Sequence, residues 1–281
     1  MRMRRIHFRQ PSIIPGFRLT FSFTILYLLI IVIIPIAGLF VKTFELDWNT
    51  FVSIVTGPRF LSALRVSFVT SALAALFNVV IGLLIAWVLV RYEFPGRKVC
   101  DAIIDLPFAL PTAVAGIALT AIYAPNGIIG SLFAPFGIRI AYTTIGIWIA
   151  LVFIGLPFVV RTVQPVLQDF NREIEEAAAT LGASRRQTIL RVMLPTLLPS
   201  ILTGFAMAFA RAVGEYGSVI FIAGNIPRQT EILPLLIVFR LEEFNYTAAA
   251  AIAAVMLTVS FAILLAINLI QVWSQRRFGL G

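Results

Sequence analysis

Apolar residues run along this chain in long uninterrupted blocks rather than alternating with polar ones. Six blocks stand out, at residues 19–41, 61–90, 102–124, 143–166, 196–223 and 247–272. A helix crosses the hydrocarbon core of a bilayer with about 20 apolar residues, so each block is long enough to span. A membrane barrel would show short segments of period two instead. The pattern predicts an all-α polytopic membrane protein with six transmembrane helices. The first block exceeds the roughly 7–15 residues of a signal-peptide core, and no small-residue cleavage site follows it, so it reads as a retained anchor. The chain then divides into a basic tail (1–18), a first helix with its connection (19–58), a five-helix core (59–267) and a closing segment (268–281).

Composition agrees with the pattern. The 281 residues are 60% hydrophobic and 12% charged, with a mean hydropathy of +0.98. The net charge of +9 acquires a meaning once its placement is read. Fifteen of the 22 Lys and Arg residues sit in or beside the N-terminal tail, the second and fourth connections and the C-terminal tail. Six lie on the opposite side, and Arg211 falls within a block. By the positive-inside rule the richer side faces the cytoplasm, which places both termini there. Trp87, Trp148 and Trp273 fall near block ends, as interfacial aromatics do. Membrane topology thus accounts for the basic charge without nucleic acid.

Counting also removes several chemistries. Cys100 is the single cysteine and His7 the single histidine, so an internal disulfide, a thiolate cluster, a His-based metal site and a Ser/His/Asp triad are all excluded. No phosphate-binding loop of the form G-x-x-x-x-G-K-[ST] is present, so any nucleotide site belongs to another polypeptide. No catalytic residue and no metal ligand is assigned.

One polar stretch interrupts the apolar blocks: EEAAATLGASRRQTILRVMLP, Glu175 to Pro195. Asn171 is a suitable N-cap for a helix carrying Glu173, Glu175 and Glu176 in its first turns, where acids suit the positive helix end. Gly182 can take the left-handed conformation that ends it. Ser184 and Gln187 have the spacing of a capping box that opens a second short helix, running to Leu194-Pro195. The segment, about 171–189, could be a solvated loop, or less readily a nucleic-acid helix–turn–helix. Its run of small residues (Ala177, Ala178, Ala179, Gly182, Ala183) favours a third reading, a helix that lets a cytoplasmic partner approach its backbone closely.

Here the residues resemble a known family. Glu176-Ala177-Ala178, then Gly182, Val192 and Leu194-Pro195, look like the EAA loop of ABC importer membrane subunits, with Val192 where Ile is common. The pattern Phe209-Ala-Arg211-Ala-Val-Gly214-Glu215-Tyr216-Gly217 resembles sulfate and molybdate permeases, as does Asp105 to Gly116 with Pro107, Pro111 and Thr112. The stretch from Ile226-Pro227 to Tyr246 is similar to the T-type membrane subunit of sulfate/thiosulfate importers. The resemblance implies the type I ABC importer permease fold, in a bacterial inner membrane. It implies that Glu175, Glu176 and the small residues after them couple the spans to an ATPase. It implies as partners a second homologous permease subunit in a heterodimer, an ATP-binding subunit dimer and a periplasmic sulfate/thiosulfate-binding protein. ATP and Mg would be bound by the ATPase, leaving no cofactor in this chain. Molybdate or tungstate permeases remain the near alternative, and a stand-alone channel or carrier the distant one.

Physical argument marks two places within the blocks. Arg211 and Glu215 are four residues apart, so they share a helix face and can partly neutralise each other. They either lock helix packing or line an anion path with Gly214 and Tyr216. Pro107 and Pro111 each remove a helix hydrogen bond and, with Gly116 nearby, suggest a kinked or interrupted helix that is either passive or substrate-lining. Asp105 reads as interfacial, Ser71 and Ala75 as a close-packing pair. The connection from Gly224 to Tyr246 reads as an outward loop and a candidate docking surface for a binding protein.

Overall fold

The computed structural model describes residues 16–277, and within them the secondary structure is helical with no strand. Arg2, Arg4, Arg5, Arg9 and His7 of the tail lie outside the described residues, as does the side chain of Trp273. Five helices are long and apolar enough to cross a membrane: α1 (Phe17–Phe44), α2 (Pro58–Arg91), α3 (Thr144–Gln168), α4 (Arg185–Val213) and α5 (Tyr246–Arg277). The near end of the bundle carries residues 92–100 and 169–184; the far end carries 45–57, 124–143 and 224–245.

The expected sixth helix is not one helix. Block 102–124 is divided among Arg97–Ile104, Leu106–Ala109 and Thr112–Tyr123. A proline disfavours helical backbone in the residue before it, and Leu110, before Pro111, is extended at φ −83, ψ 132. Pro107 sits in the first turn of its own short helix, where its missing N–H costs nothing. Of the two expected forms, kinked or interrupted, the structure shows the interrupted one. The fifth block also shifts, since α4 starts at Arg185 and ends at Val213, well short of 223.

Two prolines leave a different mark. Leu29–Ile33, before Pro35, and Ile189–Met193, before Pro195, are π-type turns inside α1 and α4. Widening the helix there accommodates the ring and the lost hydrogen bond without ending the helix.

Helices α2, α3 and α4 form the core, and α3 lies between the other two. Lipid supplies no hydrophobic drive for helix association, so close approach of small residues has to hold the contact. A side chain at Gly82 on α2 would put its Cβ 2.9 Å from Val159 of α3, and one at Gly204 on α4 would come within 3.0 Å of the Val159 backbone. Ser71 and Ala75 are each 1% exposed on the packed face of α2, matching their reading as close-packing residues. Asn78, fully buried, donates from Nδ2 to the carbonyl of Val152 at 3.1 Å. Helix α5 flanks the core against α4 and the second half of α1, while the first half of α1 is exposed along its length.

The expected loop from Gly224 to Tyr246 is largely built into the bundle. It contains the helix Leu233–Glu242, whose Leu233, Leu235 and Leu236 are buried. Ser67 Oγ of α2 accepts a hydrogen bond from the Leu233 N–H at 2.8 Å. Buried Glu231 takes both arms of Arg59, at 2.8 and 2.6 Å. A docking surface on this connection is confined to its exposed parts, such as Ile226 and Phe244.

Because the Asn78 amide lies 2.6 Å from where a Cβ at Gly155 would stand, Gly155→Ala is expected to displace Asn78 and break its bond to α3. The overpacking is expected to cost about 1–3 kcal/mol, read as a lowered thermal midpoint of the detergent-purified protein.

Candidate functional site

At the near end the polar stretch folds as its caps predict. Asn171 Oδ1 accepts from the Glu173 N–H at 3.0 Å and opens the helix Arg172–Thr180. Gly182 takes φ +81, and the Gly182 and Ala183 N–H groups reach the Ala179 and Ala178 carbonyls at 3.0 Å each, the paired bonds of a Schellman ending. Ser184 and Gln187 complete the capping box in both directions, at 2.8 and 3.4 Å. The structure corrects one expectation here. The second helix is not short, because Arg185 is the first residue of α4 and the chain runs through the π-type turn to Val213. Any displacement of the short helix therefore acts on the root of a core helix.

The short helix presents a bare face. Glu176, Ala177, Ala179 and Thr180 are exposed, Leu181 is 88% exposed, and nothing lies within 4 Å of where a side chain at Gly182 would start. Ala178 and Ala183 are partly covered. Glu175 departs from the expected grouping: it turns inward, and its Oε1 lies 2.5 Å from Arg91 Nη2 at the end of α2. The two adjacent glutamates thus face different neighbours.

The second site joins two motifs that are about a hundred residues apart in the chain. Helix α4 ends at Val213, so Arg211 and Glu215 do not share a continuous helix face; the turn at Gly214 folds the carboxylate back onto the guanidinium. Glu215 is 2% exposed, and its Oε1 also accepts from the Ser218 N–H and Oγ at 2.9 and 3.0 Å. Its negative charge is fully engaged, as a buried carboxylate must be. Arg211 is 35% exposed and Gly214 is open, while Tyr216 is half-buried. The segment 214–218 lies directly on the start of Thr112–Tyr123. A Cβ at Gly217 would fall 2.2 Å from Thr112 Oγ1, and one at Gly116 would fall 2.5 Å from the Ser218 carbonyl. Thr112 thus meets the 211–217 motif through Gly217, with Pro111 just before it in the chain and Pro107 one short helix away. Non-helical backbone at this depth is tolerated because it is packed against protein.

A third cluster was not anticipated. Arg161 of α3 is bidentate to Asp105 at 2.8 and 2.6 Å, and reaches Asp101 Oδ1, the Asp101 carbonyl and Gln164 Oε1 at 2.6, 2.9 and 2.6 Å. Asp105 and Arg161, read as interfacial and as a topological charge, also fasten the broken third block to α3. Their separation of 56 residues leaves no local signal for this pairing. The hydrogen bond from Arg161 holds the Asp101 carboxyl below its ordinary pKa of 3.8, and Gln164 adds to the effect. No group of three or more potential metal ligands occurs among the described residues.

Five long apolar helices, a broken segment packed on α3 and a capped polar helix at one end define a membrane-embedded permease. Residues 78–280 match the family model described as "Binding-protein-dependent transport system inner membrane component", and the chain belongs to that family. It is 51% identical to the "Sulfate transport system permease protein CysT" of Synechocystis sp. over 98% of this chain and 94% of that protein. With the protein of the same name from Salmonella typhimurium it shares 46% identity over 95% of each. Among solved structures, a bacterial alginate ABC transporter in complex with an alginate pentasaccharide-bound periplasmic protein has a chain that superposes with a TM-score of 0.74, at 20% identity, over 93% of this chain and 95% of that one. The fold is that of type I ABC importer permeases, and the chain is a multi-pass inner-membrane protein.

Because its folded pKa is depressed, Asp101 contributes stability above the ordinary carboxylate range, and that contribution is lost as pH falls through the lowered value. Asp101→Asn is expected to lower the thermal midpoint at pH 7, with the gap from wild type closing below about pH 4. Melting curves across pH 3–7 measure this.

Proposed function

We propose that this chain is a permease subunit of an ATP-driven importer that carries sulfate or thiosulfate into the cytoplasm by alternating access. It catalyses no bond chemistry. The observation that carries the reading is the bare small-residue face of Arg172–Thr180, with Leu181 88% exposed beside it, joined to α4 through the capped turn at Ser184. An exposed leucine on a polar helix of small residues fits a surface that a protein partner covers. In the proposed assembly that partner is a dimer of ATP-binding subunits, which holds ATP and Mg, and Glu176 and Gly182 meet it directly. A second homologous permease completes a heterodimer, and a periplasmic binding protein delivers the anion. The placement of Lys and Arg supports a cytoplasmic location for both termini and for the 172–188 segment.

The names of the relatives at 46–51% identity support sulfate as cargo over molybdate or tungstate. In this reading the exposed part of Arg211 borders the anion path beside Gly214, Tyr216, Pro111 and Thr112, with Pro107 at its edge. Glu215 is buried against Ser218 and holds the guanidinium in place, so its role is to orient and to moderate the charge of Arg211.

Two measurements test the assignment. Ala177→Trp keeps a helical, exposed position free of backbone strain; it is expected to leave the permease folded but to abolish copurification of the ATPase. Retained copurification counts against the docking face. Arg211→Ala is expected to reduce uptake of labelled sulfate about tenfold or more, the scale of a single lost charge contact, while Arg211→Lys keeps more of it. Uptake and subunit assembly are measured in parallel, and normal uptake by Arg211→Ala removes Arg211 from the path.

A further inference from the structure

Three helices make the core, and the short helix Arg172–Thr180 is connected to them unequally. The chain ties it to α3 through residues 169–171 and to α4 through the capped turn at Ser184. Helix α2, packed against both, has no such connection. What joins it is one ion pair. Arg91 is the last residue of α2, and Glu175 lies in the first turn of the short helix, with Nη2 and Oε1 2.5 Å apart. Among the described residues this is the one ion pair between the short helix and a long one.

The surroundings favour a fixed arginine. Its side chain is 11% exposed, with the guanidinium over the Trp87 ring at 5.3 Å and the Phe170 ring at 6.0 Å. Each charge also sits at the helix end whose dipole suits it, Arg91 at a C-terminus and Glu175 at an N-terminus. Aromatic faces and a half-buried carboxylate strengthen the contact relative to a surface pair. The contact lies off the line of a hydrogen bond, and Arg91 Nε has no hydrogen-bond partner among the described residues. The carboxylate is therefore the principal anchor across this gap. A polar cavity of about 290 Å³ opens beside it, lined by Trp87, Arg91, Tyr92, Glu175, Glu176 and Arg185.

We propose that Arg91 and Glu175 form a positioning link through which displacement of the short helix reaches α2. Glu176 faces outward for a partner, while its neighbour Glu175 faces inward and carries the movement to the one core helix that the chain does not tie to this segment. The inference rests on the proposed docking of an ATPase on the short helix. It adds that without the pair the motion reaches α2 only through its packing against α3 and α4, so ATP is hydrolysed with less transport.

The test uses the full permease complex in vesicles. Spin labels at Val88→Cys on α2 and Thr180→Cys on the short helix, with Cys100→Ala, report the distance across the link. Wild type is expected to give one narrow distance population, Glu175→Gln a broad one, and the exchanged pair Arg91→Glu with Glu175→Arg a narrow one again. In the same complexes Glu175→Gln is expected to lower sulfate moved per ATP about tenfold, within the range of ordinary coupling energies, and the exchanged pair is expected to recover most of it. An unchanged distance population in Glu175→Gln overturns the link, as does an unchanged transport ratio. If the exchanged pair fails to assemble, Arg91→Lys, which keeps the charge, is expected to stay nearer wild type than Glu175→Gln in both readouts; equal loss in the two overturns the link. The resting distance needs neither nucleotide nor anion. It decides the link even where the wild-type complex imports no sulfate, a result that overturns the functional reading instead.

Discussion

The structure depends on how closely α3 can approach its two neighbours. In lipid, leucine against leucine gains little over leucine against an acyl chain, so packing of small residues and a few polar contacts have to select one arrangement. Val159 is enclosed between Gly82 of α2 and Gly204 of α4, and Asn78 bridges to the Val152 carbonyl one turn away from that contact. Helices that approach this closely move as packed bodies, which is the property a permease with two alternating openings requires. The helices are interrupted elsewhere, at residues 105–111 and 214–218, and the second interruption packs on the helix that follows the first.

Charge within the bundle is used almost entirely in pairs. Glu231 is matched by Arg59, Glu215 by Arg211, Asp101 and Asp105 by Arg161, and Glu175 by Arg91. Each pair fastens a segment that is not a continuous spanning helix onto one that is, or closes the end of one. Ionic groups are costly in a low-dielectric setting unless matched, and that cost makes them specific fasteners for irregular backbone. Arg211 keeps part of its side chain exposed beside a fully buried partner, as Arg59 does beside Glu231. In the proposed function that asymmetry leaves positive charge available to an anion without leaving a carboxylate to repel it.

Much of the near-end site was legible from residue types alone. Asn171, Gly182 and the Ser184–Gln187 box are local signals, since a cap is decided by hydrogen bonds within four residues, and the structure shows each of them. The small-residue face was equally readable, and it is exposed. The division of labour between Glu175 and Glu176 was not, because it depends on where the end of α2 falls in space, some 84 positions away in the chain. The same holds for Arg161, whose charge suits a topological count and gives no hint of two aspartates ahead of it in the chain.

The amino-acid sequence by itself determined an all-helical membrane protein, its polar capped segment, and the positions where proline and glycine interrupt a helix. These follow from composition, caps and backbone sterics, which act over a few residues. Only the tertiary structure decided between a kinked and an interrupted form for block 102–124, and only it decided that α4 begins inside the polar segment and that residues 230–236 fold inward. A hydropathy pattern registers how apolar a segment is, and a helix buried in protein is as apolar as one facing lipid. Which of the two it becomes is settled by the glycine contacts and ion pairs it finds on other helices, and those exist only once the chain has folded.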